Sequence, residues 1–421
     1  MWTGKMDTAN ANSQPVLRAL AESGGDIGRS ADASARPLAP MTARRVNDIA
    51  AVETVWRALT ADGVESPGQS FDFIRLWIAD RGIAPEHQCF VVGEVDGEPV
   101  ALLPLHRRSQ MGVTVYTWFP RSQVGCYAPI SDYRRLAQLG SEGRAQLWQT
   151  MLAQLDDADA VYLRAIPGEI AGFGGLFDEL GSPLAVDTLY RSEFASWEEC
   201  DRLQRSRSRR KHDRQQGDRL AALGEIGFEL VTDPAAGRAA IEVMFRQRSA
   251  RFRAQGIRDT FVCDNLVDFY QRALEPGSGL DIRLHVLRLN GEIVAVRYNV
   301  VHGARMFCLI SSMSDDPAIQ VGSPGKQCLL RVMQTVFDGG FSMFDMGSGF
   351  TDEKRHWCNV QTPLRQHYVG LTLKGRLSVG CHQQFQKLRA QAKANPRVKS
   401  ALRYLHQFSD QLFGRRQQPS D

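Results

Sequence analysis

The chain has 421 residues, enough for two or three domains of ordinary size, each with its own core. Hydrophobic residues make up 43% and charged residues 23%, the composition of a globular protein, and a net charge of +4 is too small by itself to imply a nucleic-acid partner. Eight cysteines lie far apart with no Cys-x-x-Cys pair, which suggests neither a zinc site nor a disulfide framework and suits reduced thiols in a cytoplasmic protein. No stretch approaches the roughly 18 apolar residues of a membrane span, and the first residues lack the apolar core of a secretory signal.

Residues 1–41 are rich in Ala, Ser, Gly, Asp and Pro without periodicity and read as a disordered leader. Helical spacing of Ile49, Val52, Val55, Trp56 and Leu59 predicts a helix over 46–59, and Phe71, Ile74, Trp77 and Ile78 predict another over 70–80. The run Cys89–Val95, the dipeptide Asp96-Gly97 and the run Val100–Leu105 then predict a β-hairpin. A helix ending near Asp157 and a strand at Val161–Leu163 follow. Asp233-Pro234 opens a further helix carrying Ile241, Met244, Phe245 and Phe252.

The hairpin then recurs as Leu284–Leu289, Asn290-Gly291 and Ile293–Val301. Val92…Asp96-Gly97-Glu98…Val100-Ala101 lines up with Val286…Asn290-Gly291-Glu292…Val294-Ala295. A helix ending at Asp338 and a strand at Met343-Phe344 repeat the later pair. Two correspondences in one order point to an internal duplication, against the alternative that hairpins match by chance. Each half reads as helices, a hairpin, a helix and a further strand, an α+β architecture with a boundary near 190–200. After Lys374-Gly375 the chain turns helical, breaks at Asn395-Pro396 and resumes through Val398, Leu402, Leu405 and Phe408, leaving a frayed tail from Arg415.

The most informative segment is Gly322-Ser323-Pro324-Gly325-Lys326, between the apolar run Met306–Ile310 and the amphipathic stretch Leu329, Leu330, Met333, Val336, Phe337. Ser323 suits a helix N-cap and Pro324 the first helical position. Gly322 and Gly325 leave room for a ligand beside the backbone, and Lys326 adds charge where first-turn amides and the helix dipole favour a phosphate. An ordinary capped helix is the competing reading. A second Gly-rich loop, Phe344–Gly349, follows the next strand, where ligands gather in such folds.

In order and spacing, Asp316-Pro317…Ser323-Pro324-Gly325-Lys326, then Phe344-Asp345…Gly349, then Lys354…Trp357 resembles the GNAT acetyltransferases of the CelD/BcsL (BioF2-like) group, over roughly residues 42–375. These are related to the Fem-type tandem GNAT transferases. The resemblance implies two tandem GNAT-like domains, each a mixed sheet flanked by helices, plus C-terminal helices. It implies acetyl-CoA or another acyl-CoA as donor, no metal, and a small-molecule, saccharide or peptide acceptor. The general donor loop Q/R-x-x-G-x-G/A appears as Gln320-Val321-Gly322-Ser323-Pro324-Gly325, with Ser323 in place of the first glycine. Gln320, Val321, Gly322, Ser323, Gly325 and Lys326 are thus the expected donor-binding residues. The pattern G-x-x-x-Y-K appears as Gly349–Lys354, with Glu353 where tyrosine is usual.

Acyl transfer to an amine needs a base and donors for the thioester oxyanion. Asp345 and Glu353 are candidate bases or amine-positioning groups, and Lys354 is the third catalytic candidate. The alternatives are a loop-capping aspartate and a solvated charge pair. His356 and Trp357 are candidate substrate contacts. Between Leu203 and Leu220 no side chain is apolar, and a helix there would place Arg207, Arg210, Lys211 and Arg214 on one face. That segment reads as a solvated linker helix, as a CoA or substrate contact through Arg207, Arg210 and Arg214, or as an RNA-binding stripe. His285 and His302 lie on strand runs, facing outward or in local hydrogen bonds, and no metal-ligand spacing is present.

The expected organisation is a leader over 1–41, GNAT-like domains over 42–195 and 196–376 with the donor in the second, C-terminal helices over 377–414 and a tail over 415–421. The expected function is acyl transfer from acyl-CoA to an amine or hydroxyl in the cytoplasm. The resemblance adds a link to cellulose or exopolysaccharide synthesis. The rivals are a Fem-like transferase using aminoacyl-tRNA and a non-catalytic scaffold of a polysaccharide assembly.

Overall fold

The computed structural model describes residues 39–394, except 111, 121, 122, 257, 258, 260, 261 and 263. The leader up to residue 38, the helix expected after Pro396 and the tail lie outside the described residues. Twelve strands carry the fold. In the first half they are β1 (Met41–Val46), β2 (Gln88–Val95), β3 (Glu98–Gln110), β4 (Val113–Thr117), β5 (Ala160–Pro167) and β6 (Ser182–Glu193). In the second they are β7 (Ile226–Val231), β8 (Asp281–Leu289), β9 (Glu292–His302), β10 (Arg305–Met313), β11 (Met343–Ser348) and β12 (Val360–Gly370). With the two-residue strand Ile130–Ser131 against β3, they form one 13-stranded sheet.

The strand order is β1-β2-β3-β4-β5-β12-β6-β11-β10-β9-β8-β7. Exchanging each strand for its counterpart six places along and reading backwards returns the same order. The duplication inferred from the hairpins is therefore present in the topology. The last strands are exchanged: β6 of the first half pairs with β11, and β12 of the second pairs with β5. β6 and β12 pair with each other at the centre, which makes the two halves one continuous sheet. All links between these twelve strands are antiparallel except two, β4 with β5 and β10 with β11.

Both hairpin turns are as the sequence predicts. Asp96 and Gly97 have φ of 53° and 79°, and Asn290 and Gly291 have 50° and 82°, the left-handed pair that a two-residue turn between twisted strands requires. Helices repeat the pattern: α1 (Glu53–Leu59) and α2 (Phe71–Asp80) separate β1 from β2, and α3 (Gly140–Leu152) precedes β5. Next come α4 (Trp197–Gln204) and α5 (Arg207–Ala221). In the second half α6 (Pro234–Ala254) and α7 (Val267–Arg272) separate β7 from β8, and α8 (Pro324–Asp338) precedes β11. Finally, α9 (Asp352–Trp357) precedes β12, and α10 (Leu373–Ala394) follows it. Val46, expected to begin a helix, ends β1 instead, and a 3-10 turn Ile49–Val52 leads into α1.

Two cores hold the layers. One joins the halves: Phe73 and Trp77 of α2 meet Phe269 of α7 edge-on, with centroids 5.3 and 5.1 Å apart, in a cluster shared with Ile241, Met244 and Phe245 of α6. The other lies under α8, where Leu329, Val332, Met333, Val336 and Phe337 pack on Leu287, Ala295, Met306 and Phe344. α6 and α8 thus cover opposite faces of the second-half sheet. Along β9, Val296, Tyr298 and Val300 belong to the α6 side and Ala295 to the α8 side, the alternation a strand imposes.

Candidate active site

The site begins where β10 and β11 part. They pair in parallel only at Arg305–Phe307 with Met343–Asp345, and beyond those three positions they diverge. The gap opens into a cleft of 560 Å³ lined from β10 by Cys308, Leu309 and Ser311–Met313, and from β11 by Met346–Ser348. Its lining comes from both faces of the sheet: Gln247, Arg248, Arg251 and Phe252 of α6 on one, Gly325 of α8 and Thr351–Lys354 on the other. The cleft is therefore a slot through the sheet, with two mouths. The first half also contributes, since Gln123–Gly125 line it. A Cβ on Gly125 would lie 2.8 Å from the Gly347 Cα, so only glycine allows this approach.

The equivalent gap in the first half is filled. β4 and β5 pair only at Val115–Ala160 and Tyr116–Val161. Beyond them the Trp118 indole donates to the Arg164 carbonyl at 3.0 Å and the Tyr127 amide to the Ala165 carbonyl at 3.0 Å, with the two rings stacked. These groups satisfy the β5 carbonyls that β4 no longer reaches.

At the α8 mouth Pro324 occupies the first helical position, as expected. Ser323 sits at the N-cap but its side chain makes no capping bond, because its backbone is left-handed (φ 51°, ψ 59°). Its carbonyl instead holds the Lys326 and Gln327 amides at 3.0 Å. The Gly325 amide is left as the first-turn donor with no hydrogen-bond partner among the described residues.

Arg297, on β9, is 5% exposed and reaches the Gly325 carbonyl at 3.4 Å, the Cys308 thiol at 3.8 Å and Glu353 at 3.5 Å. Its Nε has no hydrogen-bond partner among the described residues. Burial opposes its charge, but Cys308 and Glu353 outweigh that and raise its pKa. Beside it Lys354 donates to the Ser348 carbonyl, and burial lowers its pKa against the opposing pull of Asp345.

Of the expected donor residues, Gly325 lines the slot. Gly322 serves packing: a Cβ there would lie 2.6 Å from Leu220 on α5. Gln320 donates to the Ser314 carbonyl, Val321 is 53% exposed, and Lys326 is half-buried. Among the catalytic candidates Glu353 and Lys354 line the slot, whereas Asp345 lies behind it, 3% exposed, with both oxygens engaged. Its Oδ2 accepts from Arg191 Nε at 2.9 Å and its Oδ1 from the Gly347 amide at 2.6 Å. Trp357 is buried under α4, stacked on Trp197. His356 is half-buried; burial, then Arg209 and Arg355, lower its pKa.

The basic segment forms α5, held by a polar inner face. Asp213 pairs with Arg205 and Arg209, Arg210 pairs with Asp201, and Gln327 of α8 donates to the Asp213 carbonyl. Arg207 and Arg214 are exposed, and none of the three expected arginines lines the slot. His285 is buried and in contact with Asn299 at 3.0 Å, the local-hydrogen-bond reading.

The sequence reading missed Arg297, Arg248, Arg251 and Gln123–Gly125. Arg297 left a signal, a lone charge inside the apolar strand Ile293–Val301. Among the described residues no group of three or more His, Cys, Asp and Glu could hold a metal ion, and no helix is long and apolar enough to cross a membrane.

Residues 207–355, which contain β10, β11 and most of the residues that line the slot, match the model of the acetyltransferase (GNAT) domain. This segment is similar to a GNAT-type acetyltransferase domain. Among curated proteins, sequence comparison finds no match. Solved structures similar to this chain include the C-terminal domain of a putative lysylphosphatidylglycerol synthetase from Agrobacterium fabrum. It is 12% identical with TM-score 0.44, over 77% of this chain and 95% of that one. FemX is 10% identical with TM-score 0.46, over 67% and 88%. A tandem GNAT protein from the clavulanic acid biosynthesis pathway is 11% identical with TM-score 0.42, over 79% and 100%.

Proposed function

We propose that the protein transfers an acyl group from an acyl-CoA, such as acetyl-CoA, to an amine or hydroxyl acceptor, with the chemistry in the slot between β10 and β11. The observation that carries this is the through-sheet slot lined mostly by the segment that matches the GNAT domain, open in the second half and plugged by Trp118 in the first. In this reading residues 42–195 are a structural partner domain and 196–376 the donor-binding domain.

The donor's phosphates approach the α8 mouth, where the Gly325 amide, the helix dipole and Lys326 favour an anion. The donor's acyl end lies against the free edge of β10. The acceptor nitrogen attacks the thioester carbonyl, the carbon–sulfur bond breaks, and the sulfur leaves as thiolate. Glu353 takes the acceptor proton. Lys354 and the unpartnered Arg297 Nε supply positive charge to the developing oxyanion and thiolate. No covalent enzyme intermediate is needed: burial raises the Cys308 pKa, so the thiol in the slot is not activated as a nucleophile. Asp345 acts as a positioning residue, fixing the Gly347 amide and with it the β11 loop.

The resemblance to the CelD/BcsL group is the ground for placing the acceptor in exopolysaccharide synthesis, and the widely spaced cysteines are the ground for a reducing, cytoplasmic setting. The reaction is tested by thiol release from acetyl-CoA in the presence of candidate amines. Glu353→Gln is expected to lower kcat by about 100-fold at unchanged acetyl-CoA affinity. Unchanged kcat removes Glu353 from the mechanism, and loss of acetyl-CoA binding instead makes it a donor-site residue.

A further inference from the structure

The two mouths of the slot differ in charge. Both carboxylates that line it, Asp352 and Glu353, come from α9 on the α8 face. The lining on the α6 face has Arg248 and Arg251 with Gln247, Phe252 and Gln255, and no carboxylate among the described residues. Arg248 is held over the Phe252 ring at 4.7 Å, which fixes its guanidinium at the wall of the slot. Asp259, an acceptor for Ser249, is close enough to act on Arg248. Arg251, one helical turn from Arg248, lines the slot, is exposed and forms no ion pair among the described residues. Gln247 is committed elsewhere, donating to the Ile293 carbonyl and accepting from Ser312.

We infer that the acceptor enters by the α6 mouth and carries an anionic group, a carboxylate or a phosphate, that Arg251 binds at a distance from the nucleophile. The inference rests on the acyltransferase reading and adds the acceptor's chemical class. A nucleophilic amine reaches the mouth as an ammonium, and the Arg251 guanidinium, at a mouth with no lining carboxylate among the described residues, repels a purely cationic acceptor. An anionic group elsewhere on the same molecule reverses that repulsion, and a planar guanidinium pairs with carboxylate or phosphate oxygens two at a time. The donor's own phosphates do not need these arginines, because their anion-binding helix start lies on the opposite face.

The test uses the full chain and matched acceptors that differ only in the anionic group: glycine against glycinamide for a carboxylate, O-phosphoethanolamine against ethanolamine for a phosphate, and glucosamine 6-phosphate against glucosamine. Thiol release from acetyl-CoA is followed for each, and acetyl-CoA binding is measured separately by calorimetry. The expected result is a kcat/KM at least about tenfold higher for the anionic member of one pair. Arg251→Gln should remove that preference through KM while leaving acetyl-CoA affinity intact. The exposed position of Arg251 keeps the variant folded. Equal use of the neutral members, no use of any anionic member despite acetyl-CoA binding, or a preference that survives Arg251→Gln each overturns the inference. Absence of acetyl-CoA binding overturns the acyltransferase reading itself, and this one with it.

Discussion

Arg191 of β6 and Asp345 of β11 form an ion pair at 2.9 Å across the strands that join the two halves, with each residue under 10% exposed. The same guanidinium binds Glu65 at 2.6 Å, and Glu65 in turn accepts from Arg305 at 2.8 Å. Burial works against these charges, yet Asp345 and Glu65 hold the Arg191 pKa above its ordinary value, and Arg191 and Arg305 hold that of Glu65 below its own. Because Asp345 also anchors the Gly347 amide, the network ties the wall of the slot to the contact between halves.

Replacing Asp345 with asparagine leaves a buried cation facing one carboxylate where it had two. Urea denaturation should show a loss of about 3 kcal/mol, with weaker acetyl-CoA binding as the 345–349 loop shifts. A variant as stable and as active as the wild type would remove Asp345 from both roles.

Ser323 holds a left-handed backbone that costs a non-glycine residue about 1 kcal/mol. It is also the position where the GNAT donor loop ordinarily has glycine. Ser323→Gly should therefore leave stability equal or raise it by up to about 1 kcal/mol, and acetyl-CoA affinity should not fall. Weakened binding would mean that the serine hydroxyl itself touches the donor.

His285 gives a pH prediction. Burial, then the charges of Arg283 and Arg297, lower its pKa from 6.5 to about 4. The unfolded chain takes up this proton first as pH falls, so the stability due to neutral His285 is complete above pH 6.5. It declines between 6.5 and about 4, by about 3 kcal/mol in all. His285→Gln should flatten the stability profile over that range relative to the wild type, as read by urea midpoints at several pH values. Parallel profiles would show that His285 does not titrate there.

Much of this was legible in the sequence. The Asp96-Gly97 and Asn290-Gly291 turns gave both hairpins, and their alignment gave the duplication that the strand order bears out. Besides the five-residue β4, the strands that escaped were of two kinds. β1 and β7 are edge strands of six residues, half-exposed and too short to stand out. β6 and β12 lie at the centre yet carry Asp187, Arg191, Arg365, Gln366 and His367, because their neighbours are ion pairs and hydrogen bonds as well as apolar side chains. A hydrophobic pattern cannot mark a strand whose partners are polar.

The slot was half legible for a similar reason. Gly325, Glu353 and Lys354 lie in one stretch with a recognisable spacing, whereas Arg251, Arg297 and Gly125 reach it from separate elements through sheet order. Gly322 and Trp357 show the converse, residues whose motif positions are occupied by packing against Leu220 and Trp197.

The most direct test copies the first half's plug into the second. Trp118 lies two residues beyond Tyr116, the last parallel pair of β4, and Leu309 lies two beyond Phe307, the last of β10. Calorimetry with acetyl-CoA should show binding to the wild type and none to a Leu309→Trp variant of unchanged circular dichroism. A wild type that fails to bind, or a Leu309→Trp variant that binds equally well, would contradict a donor site between β10 and β11.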